Sequence, residues 1–365
     1  MALQCGIIGI TNVGKTTLFN CISNTKAETS SYAFSTNKSN VGVIKVPDQR
    51  LYELEKYQPT EKIIHATVDI VDIPGLTRGS SKGEGVGNQF LADIRNCHAL
   101  IHVLRCFDDE TLPHVDGSVN PVRDMETVDL ELQVKDLESV EKKMVRLERA
   151  AKTGDKDAKK GFEVLQVYKD HFENFQSART VSVSEDDKKH VEDLFLLSSK
   201  PIMYVCNVDD ASAINRNKYV EQVKAALQGK DTKVLVIAGN LEAEIAELES
   251  ETDRMEFLKD AGLSEPGMHK LVQSAYDLLN LQSFFTVGPK EIRAWTIKKG
   301  MSAPQAAGVI HSDLERGFIR AEVMKYNDFI TLGSEHACKE KGKLAVEGKN
   351  YVIQDGDILH IRFNV

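Results

Sequence analysis

The chain has 365 residues, 41% of them hydrophobic and 28% charged, with a formal net charge of −9. That length divides into about two or three domains, and the composition excludes disordered, collagen-like and low-complexity chains. The acid excess argues against a coat for DNA, and no window approaches the ~18 uninterrupted apolar residues of a membrane span, so neither DNA nor membrane is an expected partner.

Leu3 to Gly9 is a short apolar run ending on glycine, which fits a buried parallel strand, and Lys15 to Ser23 reads as a helix. Further strand candidates are Ala66–Val71, Ala99–Leu104, Ile202–Cys206 and Lys233–Ile237, separated by helical or mixed segments. That alternation predicts an α/β fold, a doubly wound sheet.

One stretch breaks it. Apolar residues three or four apart at Leu130, Val134, Leu137, Val140, Met144, Leu147 and Ala151, then at Ala158, Phe162, Leu165, Tyr168, Phe172 and Phe175, predict two amphipathic helices. Thr153-Gly154-Asp155 is the turn between them. At about 1.5 Å per residue each helix would reach roughly 30–35 Å. Strand signals resume at Ile202, so this is an inserted helical hairpin, its charged outer faces either solvated surface or a docking arm for a large partner.

From Phe284, strand-like runs at Phe284–Val287, Ala294–Ile297, Gly317–Val323, Tyr351–Ile353 and Ile358–Phe363 surround a helix at Ala303–His311 and predict a small α+β module. The expected boundaries are 1–128 and 200–282 for the α/β domain, 129–199 for the hairpin and 283–365 for the last module. From Ser283 onward, 12 Lys and Arg stand against 10 Asp and Glu, and the preceding part has 34 against 45. An acidic body with a mildly basic tail implies different partners for each.

Six cysteines, at 5, 21, 97, 106, 206 and 338, are far apart, with no C-x-x-C pair and no metal-ligand spacing. Reduced, structural thiols in a cytoplasmic protein are expected. The first strand begins almost at Met1, which leaves no room for a signal peptide.

The chemistry centres on Gly9-Ile10-Thr11-Asn12-Val13-Gly14-Lys15-Thr16, a G-x-x-x-x-G-K-T loop between a strand and a helix. Glycines let the backbone curl until successive N–H groups converge on phosphate oxygens, and the helix N-terminus adds positive charge. Lys15 would neutralise the β- and γ-phosphates, and the Thr16 hydroxyl would coordinate Mg²⁺. At the end of the strand Ala66–Val71, Asp72-Ile73-Pro74-Gly75 is a D-x-x-G motif whose carboxylate can hold the magnesium shell and whose glycine amide can sense the γ-phosphate. Glycines 79, 83, 85 and 87 follow, so switch behaviour is expected here. Thr36 is a candidate second magnesium ligand. Asn207-Val208-Asp209-Asp210 follows a strand where P-loop GTPases carry N-K-x-D; Val208 fills the lysine slot, while Asp210 keeps the carboxylate that guanine readers use. Ala238-Gly239-Asn240 could close over the base edge.

The strings GITNVGKTTLFN, YAFSTNKSNVGV, VDIPGLTRGSSKGEGVGNQFLADIR and HVDGSVNPVRD, with the module from Phe284 to Val365, closely resemble the YchF family of Obg-related P-loop NTPases. The resemblance spans essentially the whole chain. It implies a nucleotide domain interrupted by a helical domain, a C-terminal β-grasp-like TGS domain, an ATPase that can accept GTP, and association with ribosomes. Carried over by position, Asn12, Val13, Gly14, Lys15, Thr16 and Thr17 would hold the triphosphate, Thr16 and Thr36 the magnesium, and Asn207 and Val208 the adenine. At position 210 the family usually has glutamate, so Asp210 keeps a guanine-specific GTPase open as an alternative. Leu76 stands where many switch GTPases carry a water-orienting glutamine and cannot hydrogen-bond to water; the resemblance points instead to His114 as the catalytic group. Leu76 and two appended domains also leave open a nucleotide-gated adaptor whose hydrolysis is incidental. Lys339, Lys341, Lys343 and Lys349 are either a solvated loop or contacts for rRNA phosphates.

Overall fold

A computed structural model of the chain describes residues 3–23, 39–75 and 86–364. Its described strands are β1 (Gln4–Ile8), β2 (Asn40–Lys45), β3 (Ile63–Ile64), β4 (Thr67–Asp72), β5 (Ala99–Arg105), β6 (Ile202–Val208), β7 (Val234–Ala238), β8 (Leu281–Val287), β9 (Ile292–Lys298), β10 (Phe318–Lys325), β11 (Leu344–Glu347) and β12 (Asp357–Phe363). Two compact units emerge: residues up to Gly42 with Asp69–Lys270, and Val43–Val68 with Leu271–Val365.

The first unit is organised on a sheet ordered β2-β4-β1-β5-β6-β7. The pairings of β1 with β4 and β5, of β5 with β6 and of β6 with β7 are all parallel. β5 (ALIHVLR) and β6 (IMYVCNV) are buried at every residue, as their near-continuous apolar sequences require in a sheet covered on both faces. Parallel strands deliver their C-terminal loops to one edge, where α/β sheets bind ligands. Helix α1 (Lys15–Ser23) leaves that edge directly after β1.

The helical hairpin lies within this unit. With α2 (Arg50–Tyr57) and α3 (Val86–Asn96) preceding them, its helices are α4 (Pro121–Lys152) and α5 (Lys156–Glu173). α4 starts earlier than its apolar periodicity suggests, because Asn120 caps Arg123 N and Pro121 supplies a helix-ready first residue. Gly154 turns the chain at φ +95°, and the Asp155 side chain caps α5. Val140, Met144, Val164, Leu165, Tyr168 and Phe172 form the seam between the helices. In the first half of α4 the buried stripe differs from the expected one: Leu130 and Val134 are exposed, and Met125, Val128, Leu132 and Asp136 point inward. Asp136, 0% exposed, accepts from Leu197 N (2.7 Å), Ser198 N (2.8 Å) and Ser198 Oγ (2.6 Å), so its carboxylate ties α4 to the end of the insertion.

The second unit is a mixed sheet ordered β11-β10-β12-β8-β9-β3. Phe284, Ile297, Ala303, Ala306, Ala307, Phe318, Ala321, Val323, Ile353 and Leu359 form its core under the helix Ala303–Ile310. β3 extends the sheet by pairing Ile63 with Ile292, and Arg50 of α2 bridges Asp48 (2.8 Å) and Asp355 (2.7 Å). The expected strand Tyr351–Ile353 does not form. Only Val352 makes an isolated bridge, to Ser302, because buried Asp357 draws Gln354 N (2.9 Å) and Tyr351 Oη (2.7 Å) into a turn. β11 pairs with β10 instead. Among the described residues, no helix is long and apolar enough to cross a membrane.

Candidate nucleotide site

β1 runs into Gly9, whose φ of +147° and proximity to β5 admit only glycine: a Cβ there would lie 2.5 Å from Val103 O. Asn12 (φ +61°) and Gly14 (φ +92°) then take left-handed conformations, and the loop closes onto the first turn of α1. Lys15 is 7% exposed and donates from Nζ to Ile10 O (2.6 Å) across the loop. Burial lowers its pKa to about 8, with the Asp72 charge pulling the other way.

Thr16 Oγ1 donates to Asp72 Oδ2 at 3.0 Å. Burial pushes the Asp72 carboxyl above its usual range, against the hydrogen bond from Thr16 and the charge of Lys15. Its Oδ1 is buried with no hydrogen-bond partner among the described residues. A hydroxyl and a carboxylate side by side, with one carboxylate oxygen unsatisfied, are the hard oxygen donors that a hydrated magnesium ion takes. Gly75 approaches the same point: a Cβ on it would sit 2.9 Å from Thr11 Cγ2 and 3.1 Å from Lys15 Nζ. Thr36 and Leu76 lie outside the described residues.

Asn207, at the end of β6, clamps the loop. Its Nδ2 donates to Val13 O (2.9 Å), and its Oδ1 accepts from Gly239 N (2.9 Å) at the start of the helix Gly239–Glu247. Around these residues opens a cavity of about 520 Å³, lined by Asn12, Val13, Gly14, Lys15, Thr16, Thr17, Asn207, Val208, Asp209, Gly239 and Asn240. Two of the expected nucleotide contacts are not in that lining, and neither are Asp72 and Gly75. Ala238 is buried as the last residue of β7, and Asp210 is exposed while Asp209 faces the cavity, its carboxylate held by Ser212 N and Oγ at 3.0 Å each.

The remaining wall is Phe107, Asp108, Asp109 and Leu112, which the motifs did not indicate. Arg105 builds it. Only 1% exposed, its guanidinium donates to the carbonyls of Leu112 (2.9 Å), Asp109 (3.1 Å) and Phe107 (3.3 Å), folding the segment after β5 around itself. The available signal was an arginine closing an otherwise apolar strand, since a charge there needs partners. The wall continues to Pro113, whose carbonyl accepts from Asn12 Nδ2 (3.2 Å).

His114 comes next and is not in the cavity lining. Its side chain is buried rather than solvent-facing: Nε2 lies 3.0 Å from Asp124 Oδ2, and Nδ1 accepts from Asp116 N at 3.1 Å. The cavity thus brings together the loop residues Asn12, Val13 and Gly14, the Lys15 ammonium and the Thr16 hydroxyl, with Asp72 bonded to the last, an arrangement suited to a nucleoside triphosphate.

Residues 4–150 match the family model described as "50S ribosome-binding GTPase", and residues 281–364 match YchF-GTPase_C, described as "Protein of unknown function (DUF933)". The chain is 47% identical over 367 residues to "Ribosome-binding ATPase YchF" of Bacillus subtilis (strain 168) and 43% identical over 365 residues to the protein of that name from Escherichia coli O157:H7, with 100% of both chains covered in each case. The solved structure of the Schizosaccharomyces pombe YchF GTPase superposes with a TM-score of 0.88 at 33% identity, covering 99% of this chain and 97% of that one. With agreement over its full length in both sequence and fold, the chain belongs to the YchF family of P-loop NTPases.

Proposed function

We propose that this chain is a magnesium-dependent nucleoside triphosphatase that hydrolyses ATP, accepts GTP, and acts as a slow ribosome-associated switch in the cytoplasm. The observation that carries the reading is the convergence of Asn12, Val13, Gly14, Lys15 and Thr16 on the cavity, with Asp72 hydrogen-bonded to Thr16 behind it. In this reading the amides of residues 13–17 and Lys15 bind the β- and γ-phosphates, and Thr16 with Thr36 would hold magnesium, Asp72 acting through its water shell. Bound magnesium supplies charge neutralisation between the β- and γ-phosphates. Asn207 keeps the loop curled, and Val208 and Gly239 border the base. Val208 brings no lysine stem and Asp210 stays in solvent, which supports adenine over guanine readout.

His114 is the proposed water-orienting group, since the Leu76 side chain has no hydrogen-bonding atom. The ribosome is the proposed partner because the relatives are ribosome-binding ATPases by name, and Lys339, Lys341, Lys343 and Lys349, all exposed, are the proposed rRNA contacts on a TGS domain spanning 283–365. Residues 1–128 with 200–282 would be the nucleotide domain and 129–199 the arm.

Competition of ATP and GTP against a fluorescent analogue tests the nucleotide assignment: ATP should displace at lower concentration, and clear preference for GTP would overturn it. His114→Ala should cut hydrolysis while leaving nucleotide affinity nearly intact. Unchanged turnover would remove His114 from the mechanism.

A further inference from the structure

The side chain that holds His114 is itself unusually constrained. Asp124 sits in the first turn of α4, 1% exposed, four residues after the Asn120 cap. One oxygen faces His114 Nε2 at 3.0 Å, and the other accepts from Arg123 Nη2 (3.2 Å) and Nε (3.3 Å). Arg123 also donates to Ser118 O (2.5 Å) and pairs with Asp116 (3.4 Å), so the loop carrying the histidine is pinned to the helix that carries the carboxylate.

We propose that Asp124 is a positioning residue for hydrolysis: it holds His114 as the Nε2–H tautomer, which leaves Nδ1 as the ring's acceptor for the attacking water. The inference rests on the reading of His114 as the water-orienting group. Its logic is one of donors and acceptors. The Asp116 backbone N–H can only donate, so the Nδ1 it meets must be the lone-pair nitrogen. A carboxylate accepts, so the Nε2 facing Asp124 carries the proton. Both bonds demand the same tautomer.

The two bonds differ in strength and in rigidity. The Asp124 bond is charge-assisted and anchored in a capped helix, whereas the Asp116 bond belongs to the short turn His114–Gly117, closed by Gly117 N to His114 O at 3.0 Å. In this arrangement both ring nitrogens are engaged, Nδ1 by the Asp116 N–H and Nε2 by Asp124. Opening the turn would trade that N–H for water at Nδ1, with Asp124 still setting the ring's proton. His114, Asp116 and Asp124 are also close enough to hold a cation, their donor atoms lying within 4.8 Å of one another. Arg123 against both carboxylates already supplies the positive charge, which favours the positioning role over a metal site.

The test pairs spectroscopy with kinetics on the full chain. With histidine side chains labelled with ¹⁵N, the His114 resonances, identified by their loss in His114→Ala, should show the Nε2–H pattern. In Asp124→Asn the amide can donate to Nε2, so the signal should shift towards Nδ1–H, and kcat should fall about 10- to 100-fold with KM within about twofold, the size usual for partners that orient a functional histidine. An Asp124 of merely structural importance would lower stability but leave the tautomer and the kcat of folded protein unchanged. Should Asp124→Asn not fold, judged by binding of a fluorescent ATP analogue, the wild-type spectrum decides, because an Nδ1–H pattern there overturns the inference. If His114→Ala turns over normally, the reading of His114 itself has failed. If His114→Ala is inactive while Asp124→Asn keeps its rate and tautomer, only the role of Asp124 has failed.

Discussion

Lys15 should couple nucleotide binding to proton uptake. In the free chain its ammonium is desolvated by burial and donates to the Ile10 carbonyl, and the burial lowers its pKa from 10.5 to about 8. A folded-state pKa below the unfolded one means that the free chain gains stability as pH rises from about 8 to about 10.5, and loses that increment as pH falls through about 8. A triphosphate placed against Nζ reverses the balance and restores the charged form. At about pH 8.5 roughly a quarter of free Lys15 is protonated, so binding should take up about 0.75 proton per nucleotide, against about 0.1 at pH 7. If the bound pKa returns to its ordinary value, the full linkage is about 2.5 pH units, or ~3 kcal/mol, and affinity should fall roughly 80-fold between about pH 8 and pH 10.5. Calorimetric titration of Mg–ATP in two buffers of different ionisation enthalpy reads the uptake directly. Identical apparent heats at about pH 8.5 would refute the reasoning, either because Lys15 is solvated in the free chain or because it does not meet the phosphates.

Asn207→Ala strands the Val13 carbonyl and the Gly239 amide, both otherwise bonded to that side chain, and at about 1–3 kcal/mol per buried orphan it should cost the free chain ~2–6 kcal/mol. Calorimetric melting should show the loss before any nucleotide is added, and an unshifted melt would mean that water replaces the clamp. Asp136→Ala removes the acceptor for three donors at Leu197 and Ser198, so thermal stability should drop by about 3 kcal/mol or more while nucleotide affinity in the folded fraction stays constant. Parallel loss of affinity would show that this anchor also shapes the pocket. Replacing Lys339, Lys341, Lys343 and Lys349 by alanine should flatten the salt dependence of ribosome pelleting by about 2–3 in log–log slope, less than a full unit per lysine because Lys343 already pairs with Asp328 at 3.2 Å. An unaltered slope would place the RNA contacts elsewhere.

The phosphate end of the site is legible because its physics constrains residue type at fixed spacing. Only glycine fits Gly9 beside the Val103 carbonyl, and a lysine and a threonine must open the helix that follows. The parallel strands are legible for a similar reason, their apolar runs being what a doubly covered sheet demands. What escaped reading depends on partners distant in sequence. Asp136 takes a core position on α4 because N–H groups more than sixty residues away converge on it, whereas periodicity favours Leu130 and Val134, which face solvent. Arg105 looks like a strand terminus until its carbonyl partners fold back over it. The union of residues 43–68 with the C-terminal unit rests on pairings such as Arg50 with Asp355 and Ile63 with Ile292, which leave no local signature. Tyr351–Ile353 has strand-like residues, yet Asp357 recruits their neighbours into a turn, so local propensity lost to one buried carboxylate.

The most direct test titrates ATP into the purified chain with magnesium, then with excess chelator, then into Lys15→Ala with magnesium. One saturable site should appear in the first titration and weaken by at least about tenfold in each of the others, since the ion and the ammonium share the neutralisation of the phosphate tail. Equal affinity in all three, or no saturable binding of ATP or GTP in the first, would contradict a pocket built for a magnesium–nucleotide complex.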